Sequence, residues 1–526
     1  MACFSPEWDR KSLCPELVSI FFFTLDGALA RIPRVIWLWA SFVVFLISLA
    51  VSLIGAPKEI FWSSEALYLP SILIDIVREG GSLRGWSFAP TPYFFPDLPL
   101  VFLFGSVTGN AFGAILTYAI FQSLVFGGLL GRFIHSIEPK MRRSGSYSLG
   151  LLSASFLFVL AEKFPTLYYL YLPSAHISAF LITLWIWPYL RKERVRKYLV
   201  FPILILSVFS DRILLFTLFL PAGLAWARRY GRWGVSFPLI SVRFFASGAL
   251  GFGLYSLSRV ILTIQSPNKI ATGESFTLWW SDWIDSILNL ELQGIFLILA
   301  LVTAFWSLAK SREWGHSLAF AGYFQIILIF LPPLAGLYSG PSGIKLSLPA
   351  FALVPVLFGV LVSLPRPEFG TNARNIALLG AILGLAFFSV FHRNPDTLWG
   401  LQGFPKPNEA SCIDDLKEAD SFVFVISEPQ KARRIFAYSD KRALAYPVDF
   451  STLEGLHAIS NREWFLFPPE GPIGVIPEGL GEHRIRSFYG EPSRILTCPK
   501  GKDSLWIYEN TDKIREFLQR PFQKTK

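Results

Sequence analysis

The sequence predicts an all-α, polytopic membrane domain followed by a small extracytoplasmic α/β domain. Three observations predict it. Of 526 residues, 52% are hydrophobic and only 16% charged, too apolar for a soluble protein of several domains. The apolar residues fall in runs that approach or reach the ~20 residues a helix needs to cross a bilayer. The Lys and Arg behind the net charge of +10 cluster between those runs, as in loops that face the cytoplasm. No RNP, zinc-finger or basic-zipper pattern accompanies them, so nucleic acid is excluded as a partner.

Taken in order, residues 1–34 are a cytoplasmic segment, too long and acidic ahead of the first sustained apolar run to be a cleaved signal peptide. Residues 35–54 are a signal anchor. About eleven spans follow from hydropathy: 35–54, 110–133, 147–161, 176–190, 198–210, 213–227, 238–260, 292–309, 317–338, 346–364 and 376–391. Residues 97–105 are apolar but short, and read as an interfacial half-helix. With the N-terminus inside, the loops at 132–143, 191–197, 228–233, 310–316 and 365–375 are cytoplasmic, and all five carry excess basic residues. Counting the half-helix as a full span would invert this order and put every basic cluster outside. The membrane domain is thus 35–391, with extracytoplasmic loops at 56–109 and 261–291.

The tail, 392–526, is different in kind. Short β-rich runs at 422–426, 464–467 and 504–508 alternate with Pro- and Gly-rich turns, the pattern of a small soluble domain outside the membrane. Cys412 and Cys498 both fall in it, and sequence leaves open whether they pair or stay separate buried thiols; Cys3 and Cys14 lie inside and stay reduced. No internal repeat of the secondary-transporter kind is visible. Gly109 and Gly113 form a GxxxG-like pair, read as helix packing.

The most informative stretch is the polar interruption after the first span, read as an extracytoplasmic loop whose residue mixture a merely water-exposed loop would not need. It holds Glu59, Glu65, Asp75, Glu79 and Asp97 among aromatic residues and prolines at a membrane surface. Glu65, in FWSSEALYLP, is walled by Phe61, Trp62 and Tyr68, where partial desolvation raises the basicity of a carboxylate. Its bland role is to open an interfacial helix capped by Ser63 or Ser64. His176 suits phosphate binding or proton sharing, against a plain polar cap. Asp211 and Arg212 sit between two short apolar runs, where ionisable groups face a cavity or neutralise each other. Lys345, in SGPSGIKLSLPAFALVP, is a cation at the membrane surface, a ligand for phosphate or a snorkelling anchor. Arg259 and Lys269 flank the seventh span.

This layout resembles the C-type glycosyltransferase (GT-C) superfamily, which includes the protein O-mannosyltransferases and the aminoarabinose transferase of lipid A. The likeness rests on the N-in anchor, the acidic motif of the first outside loop, the approach TPYFFPDLPLVFLFG to a half-span and the second long outside loop. It implies a GT-C-like membrane domain and transfer of a sugar from a polyprenyl phosphate to a lipid, glycan or protein hydroxyl, with inversion. By the same resemblance Glu65 and Asp97 are the catalytic carboxylates, and Lys345, Arg212, His176 and Arg259 meet the donor phosphate. It also implies a multi-pass protein of a bacterial inner membrane. Where relatives often have two adjacent acidic residues this chain has Ser64-Glu65, and where many have an acidic residue opening the fourth span it has His176. No metal ligands are assigned and no cofactor is identified, while the resemblance leaves a divalent metal open. No Walker loop, dinucleotide fingerprint or His/Cys cluster appears. The alternatives are a lipid or polysaccharide carrier or flippase, whose polar groups would line a path across the membrane, and a catalytically silent partner subunit.

Overall fold

A computed structural model describes residues 34–191, 197–230, 239–363, 382, 406–419, 422–498 and 504–523. The expectations for residues 1–33, for Cys3 and Cys14, for the loop 365–375, and for most of the loop 191–197 and the span 376–391 lie outside the described residues. The chain is a helical membrane domain carrying a small α/β domain at its C-terminus.

Seven helical stretches among the described residues are long and apolar enough to cross a membrane: Val35–Ile54, Lys58–Arg78, Ala111–Ile137, Ser241–Ile261, Leu292–Trp314, His316–Leu334 and Gly343–Leu361. Shorter apolar helices cover Asp97–Thr108, Ile177–Leu190 and Leu199–Ser210. The predicted half-helix is α4 (Asp97–Thr108), which ends at Gly109 in the left-handed conformation before α5 (Ala111–Ile137). Gly109 is therefore a turn, while Gly113 lies where α5 packs against the end of α4, a Cβ there falling 2.6 Å from Thr108. Close packing also occurs where α5 crosses α6 (Arg143–Leu160): a Cβ on Gly150 would lie 2.3 Å from the backbone nitrogen of Gly131. In a bilayer, small residues at such crossings replace the hydrophobic drive between helices with van der Waals contact. Trp39, Val43, Val242, Leu250, Leu257, Val302 and Phe305 stay exposed on the spanning helices, as a surface in contact with lipid requires.

The first part of the polar interruption is helical. It folds as α2 (Lys58–Phe61), α3 (Ser64–Leu73) and a π-helical turn (Ile74–Arg78). Ala66, Leu67, Leu69, Ile72 and Leu73 are buried on α3, giving the helix the apolar faces its scattered acids concealed. Both ends of the stretch touch the C-terminal domain: Arg434 Nε and Tyr438 hydroxyl donate to the carbonyls of Trp62 and Phe61, at 3.3 and 3.0 Å, while Asp75 accepts from Trp464 and Asn461. A helix held to one domain at both ends runs beneath that domain rather than across the bilayer.

The second outside loop, 261–291, contains the 17-residue α11 (Thr272–Leu288). Trp279 and Trp283 are buried while Trp280, Leu278 and Leu288 are exposed, the character of a helix lying at an interface.

The C-terminal domain is a five-stranded sheet in the order β4-β3-β5-β7-β6. Strand β3 (Phe424–Ser427) runs parallel to β4 (Leu444–Pro447) and β5 (Ile473–Val475); β7 (Ser504–Tyr508) runs antiparallel to β5 and β6 (Arg494–Thr497). Two of the three β-rich runs are strands. The third is helix α18 (Arg462–Leu466), because Asn461 caps it, its side-chain oxygen accepting from Glu463 N at 3.0 Å. Cys412, on α16 (Asn408–Ala419), is disulfide-bonded to Cys498 at the end of β6.

His457 joins this domain to the membrane part, its Nε2 3.1 Å from the carbonyl of Gly85. Burial pushes its pKa below the ordinary 6.5; the Gly85 contact opposes this and Arg462 adds to it. An undocked His457 therefore takes up a proton at higher pH than a docked one, so its contribution to docking is complete above the ordinary value and is lost as pH falls through and below it. Amide exchange at residues 82–88 is expected to speed up between about pH 7.5 and 5.5 relative to its intrinsic pH dependence. His457→Gln should remove that excess.

Candidate active site

The site begins at the N-terminus of α3. Ser63 caps that helix, its hydroxyl oxygen accepting from Ala66 N at 3.2 Å, so Glu65 falls in the first turn and projects from a fixed end. The helix-opening role and a place at the cavity therefore hold together. Lys345 arrives from a 3₁₀ turn, Pro341–Ser347, that leads into the next membrane helix. Its Nζ lies 2.6 Å from Glu65 Oε1, joining residues 280 apart in sequence. The two side chains keep 28% and 25% of their surface exposed, so the pair is open to a ligand. The ammonium also lies 5.8 Å from the Tyr169 ring centroid.

Glu65 and Lys345 border a cavity of about 590 Å³. His176, Arg212, Lys269, Tyr68 and Tyr93 contribute its polar lining; Phe216, Phe252, Leu331 and Leu337 line the rest. One space therefore holds three cations, a carboxylate and an apolar flank, the combination that takes an amphiphile with an anionic head.

The remaining candidates divide. Arg212 donates from Nη2 to the Pro90 carbonyl at 3.1 Å and stacks 4.0 Å over the Tyr255 ring, whose hydroxyl donates to the same carbonyl. Asp211 does not neutralise Arg212: consecutive residues in this turn point apart, and Asp211 Oδ2 lies 2.8 Å from His176 Nδ1 instead. Asp97 does not reach the cavity. It is buried at the start of α4, accepting from Tyr118 hydroxyl at 2.6 Å and Ser178 hydroxyl at 3.1 Å, so its carboxylate is spent on joining helices. Arg259 is off the cavity too; its Nη2 lies 3.4 Å from Ser266 on an exposed surface. Lys269, a weaker candidate by sequence, does line it.

Two features had no clear signal in the sequence. Tyr93 lies within hydrogen-bonding distance of His176 Nε2, at 3.2 Å. Arg433, on α17 (Pro429–Tyr438) of the C-terminal domain, packs behind α3. Burial lowers its pKa to about 10 while the charge of Glu65 opposes the shift; its Nη2 donates to Ala458 O at 3.2 Å and its Nε lacks a partner among the described residues. The C-terminal domain thus places a cation within the field of Glu65.

The described residues form no all-protein divalent-metal site. Among the described residues no three His, Cys, Asp or Glu side chains come together, and the Glu65 carboxylate faces an ammonium in place of a second carboxylate.

No protein-family model and no curated protein matches the chain. Solved structures do, among them ArnT from Cupriavidus metallidurans bound to undecaprenyl phosphate, at 11% identity and a TM-score of 0.53, covering 90% of this chain and 97% of that one, and the same organism's ArnT in the apo state, at 10% identity and a TM-score of 0.51, covering 92% and 98%. At this identity the likeness is one of fold, and it extends over nearly the whole of each chain.

Proposed function

Starting from a chain with a GT-C-like fold, we propose that it is a glycosyltransferase that moves a sugar from a polyprenyl phosphate to an acceptor hydroxyl on the extracytoplasmic face. The observation that carries this reading is the pairing of Glu65 with Lys345 at the edge of a cavity with an apolar flank. The similar ArnT structure holds undecaprenyl phosphate, which supports a lipid phosphate as the occupant.

Glu65 takes the acceptor's proton, the acceptor oxygen attacks the anomeric carbon, and the bond from that carbon to the phosphate oxygen breaks. A single displacement inverts the anomeric centre. Negative charge grows on the phosphate as it leaves, so Lys345 and Arg212 stabilise the transition state more than the ground state. The donor also switches the base on. Its phosphate competes with Glu65 for the Lys345 ammonium, and a carboxylate that loses its counter-ion becomes more basic. Proton abstraction therefore follows donor binding.

The orientation supported by the basic loops places the C-terminal domain outside, where its disulfide persists in an oxidising compartment. A bacterial inner membrane with the N-terminus inside is the setting we assign.

Lys345→Ala should raise the KM for a polyprenyl-phosphate sugar by about 10-fold or more, the worth of one charge-assisted hydrogen bond. Initial rates of purified protein in nanodiscs over a range of donor concentrations measure it. An unchanged KM removes Lys345 from the phosphate site.

A further inference from the structure

Beside Arg212, three side chains from three separate segments form a line. Asp211 Oδ2 lies 2.8 Å from His176 Nδ1, and His176 Nε2 lies 3.2 Å from the Tyr93 hydroxyl. The line is held at its inner end, where Asp211 Oδ1 accepts from Ile213 N at 3.1 Å and the carboxylate is buried. Its outer members, Tyr93 and His176, both border the cavity. Both also sit in the left-handed backbone region, at φ +54° and +63°, a conformation that residues with large side chains keep only where the surroundings enforce it. Two adjoining strained residues, bonded to each other at a cavity wall, are a built feature of that wall.

Resting on the transfer reading above, we propose that Asp211, His176 and Tyr93 form the arm that returns a proton to the departing phosphate. A phosphate monoester takes up its second proton at about pH 6, and imidazole is the side chain suited to passing a proton in that range. As the bond to the anomeric carbon breaks, the phosphate gains a negative charge and accepts the Tyr93 hydroxyl proton. The Nε2 proton of the His176 imidazolium replaces it on Tyr93, and Asp211 holds the Nδ1 proton throughout. Protons balance: the acceptor's proton rests on Glu65, the phosphate carries the one from Tyr93, Tyr93 carries the one from His176, and solvent exchange resets Glu65 and His176. Tyr93 is the group that meets the substrate; His176 and Asp211 act through it.

Other charged groups face this arm. Arg212 follows Asp211 directly, and Asp97 is bonded to Ser178, two residues beyond His176. Glu65, Lys345 and Lys269 line the same cavity. Any pH limb must therefore be assigned by variants of the arm itself.

The test measures kcat against pH for wild-type protein in nanodiscs, and for His176→Gln and Tyr93→Phe, with a polyprenyl-phosphate sugar as donor. Wild-type kcat is expected to fall on the alkaline side as the imidazolium is lost. Both variants should lose about 100-fold in kcat with KM nearly unchanged, and His176→Gln should also lose the alkaline limb. A His176→Gln protein with wild-type kcat, or with reduced kcat and the limb intact, overturns the proposal. Farnesyl phosphate binding by calorimetry in buffers of different ionisation enthalpy gives a readout that needs no turnover and checks that each variant folds. Wild-type protein should take up a proton on binding at neutral pH and His176→Gln should not; equal uptake by the two overturns the arm. If wild-type protein transfers no sugar yet shows the His176-dependent uptake, the transfer reading fails while the proton-sharing phosphate site stands.

Discussion

Glu65→Gln is expected to lower kcat for sugar transfer by between about 100- and 10,000-fold, the range over which a positioned general base acts. Gln keeps the size of the side chain and still offers Lys345 an oxygen at the site of the present 2.6 Å contact, so helix α3 and its Ser63 cap should persist. What is lost is the capacity to take a proton. Initial rates with a polyprenyl-phosphate sugar, alongside the thermal midpoint of the same preparation, separate the two effects. A Glu65→Gln protein with wild-type turnover would remove Glu65 as base.

The second large effect concerns stability. Asp75 is buried and accepts three hydrogen bonds from neutral donors: Trp86 Nε1 at 2.6 Å, Asn461 Nδ2 at 2.7 Å and Trp464 Nε1 at 2.7 Å. One carboxylate thus ties the membrane part to residues up to 389 positions away. Nothing larger than glycine fits against it at position 81, where a Cβ would lie 2.2 Å from Asp75 Oδ2. Asp75→Ala leaves those three donors without an acceptor in a dry interface, at a cost of about 3–5 kcal/mol for the set. The C-terminal domain should then loosen from α3, carrying Arg433 away from Glu65. Limited proteolysis between the domains and the midpoint of thermal unfolding read this out. Asp75→Asn, which keeps acceptor capacity, should cost less; equal stability of Asp75→Ala and wild type would contradict the account of the clamp.

The helical membrane architecture was legible because hydropathy acts over ~20-residue windows and needs no long-range information. The conformation of the acidic stretch was not. Asp75 looks like a solvated loop residue until Trp86, Asn461 and Trp464 are brought to it, and those contacts exist only in three dimensions. The run at 464–467 has strand-like composition, but a single cap at Asn461 turns it into helix.

At the site, Glu65 and Lys345 were each readable from an unusual charge at a membrane face, whereas their contact across 280 positions was not. Asp97 and Arg259 carried the same kind of signal and yet lie off the cavity, because an ionisable residue near a membrane also serves helix packing or a wet surface. For Asp211 and Arg212 the sequence left open a neutralising pair or groups facing a cavity, and the turn between them sends each to a different partner, with Arg212 on the cavity. Arg433 was beyond reach, since nothing local marks a surface helix of a soluble domain as a neighbour of a membrane carboxylate.

The central claim is that Lys345 leaves its contact with Glu65 to take a lipid phosphate, with the lipid chain along the apolar flank of their cavity. A density map of the protein in lipid nanodiscs with a polyprenyl phosphate tests it most directly. The account predicts phosphate density within hydrogen-bonding distance of Lys345 Nζ, the ammonium drawn away from Glu65, and the prenyl chain running past Phe216 and Phe252. An unchanged Glu65–Lys345 pair, with the lipid phosphate bound elsewhere on the molecule, would contradict it.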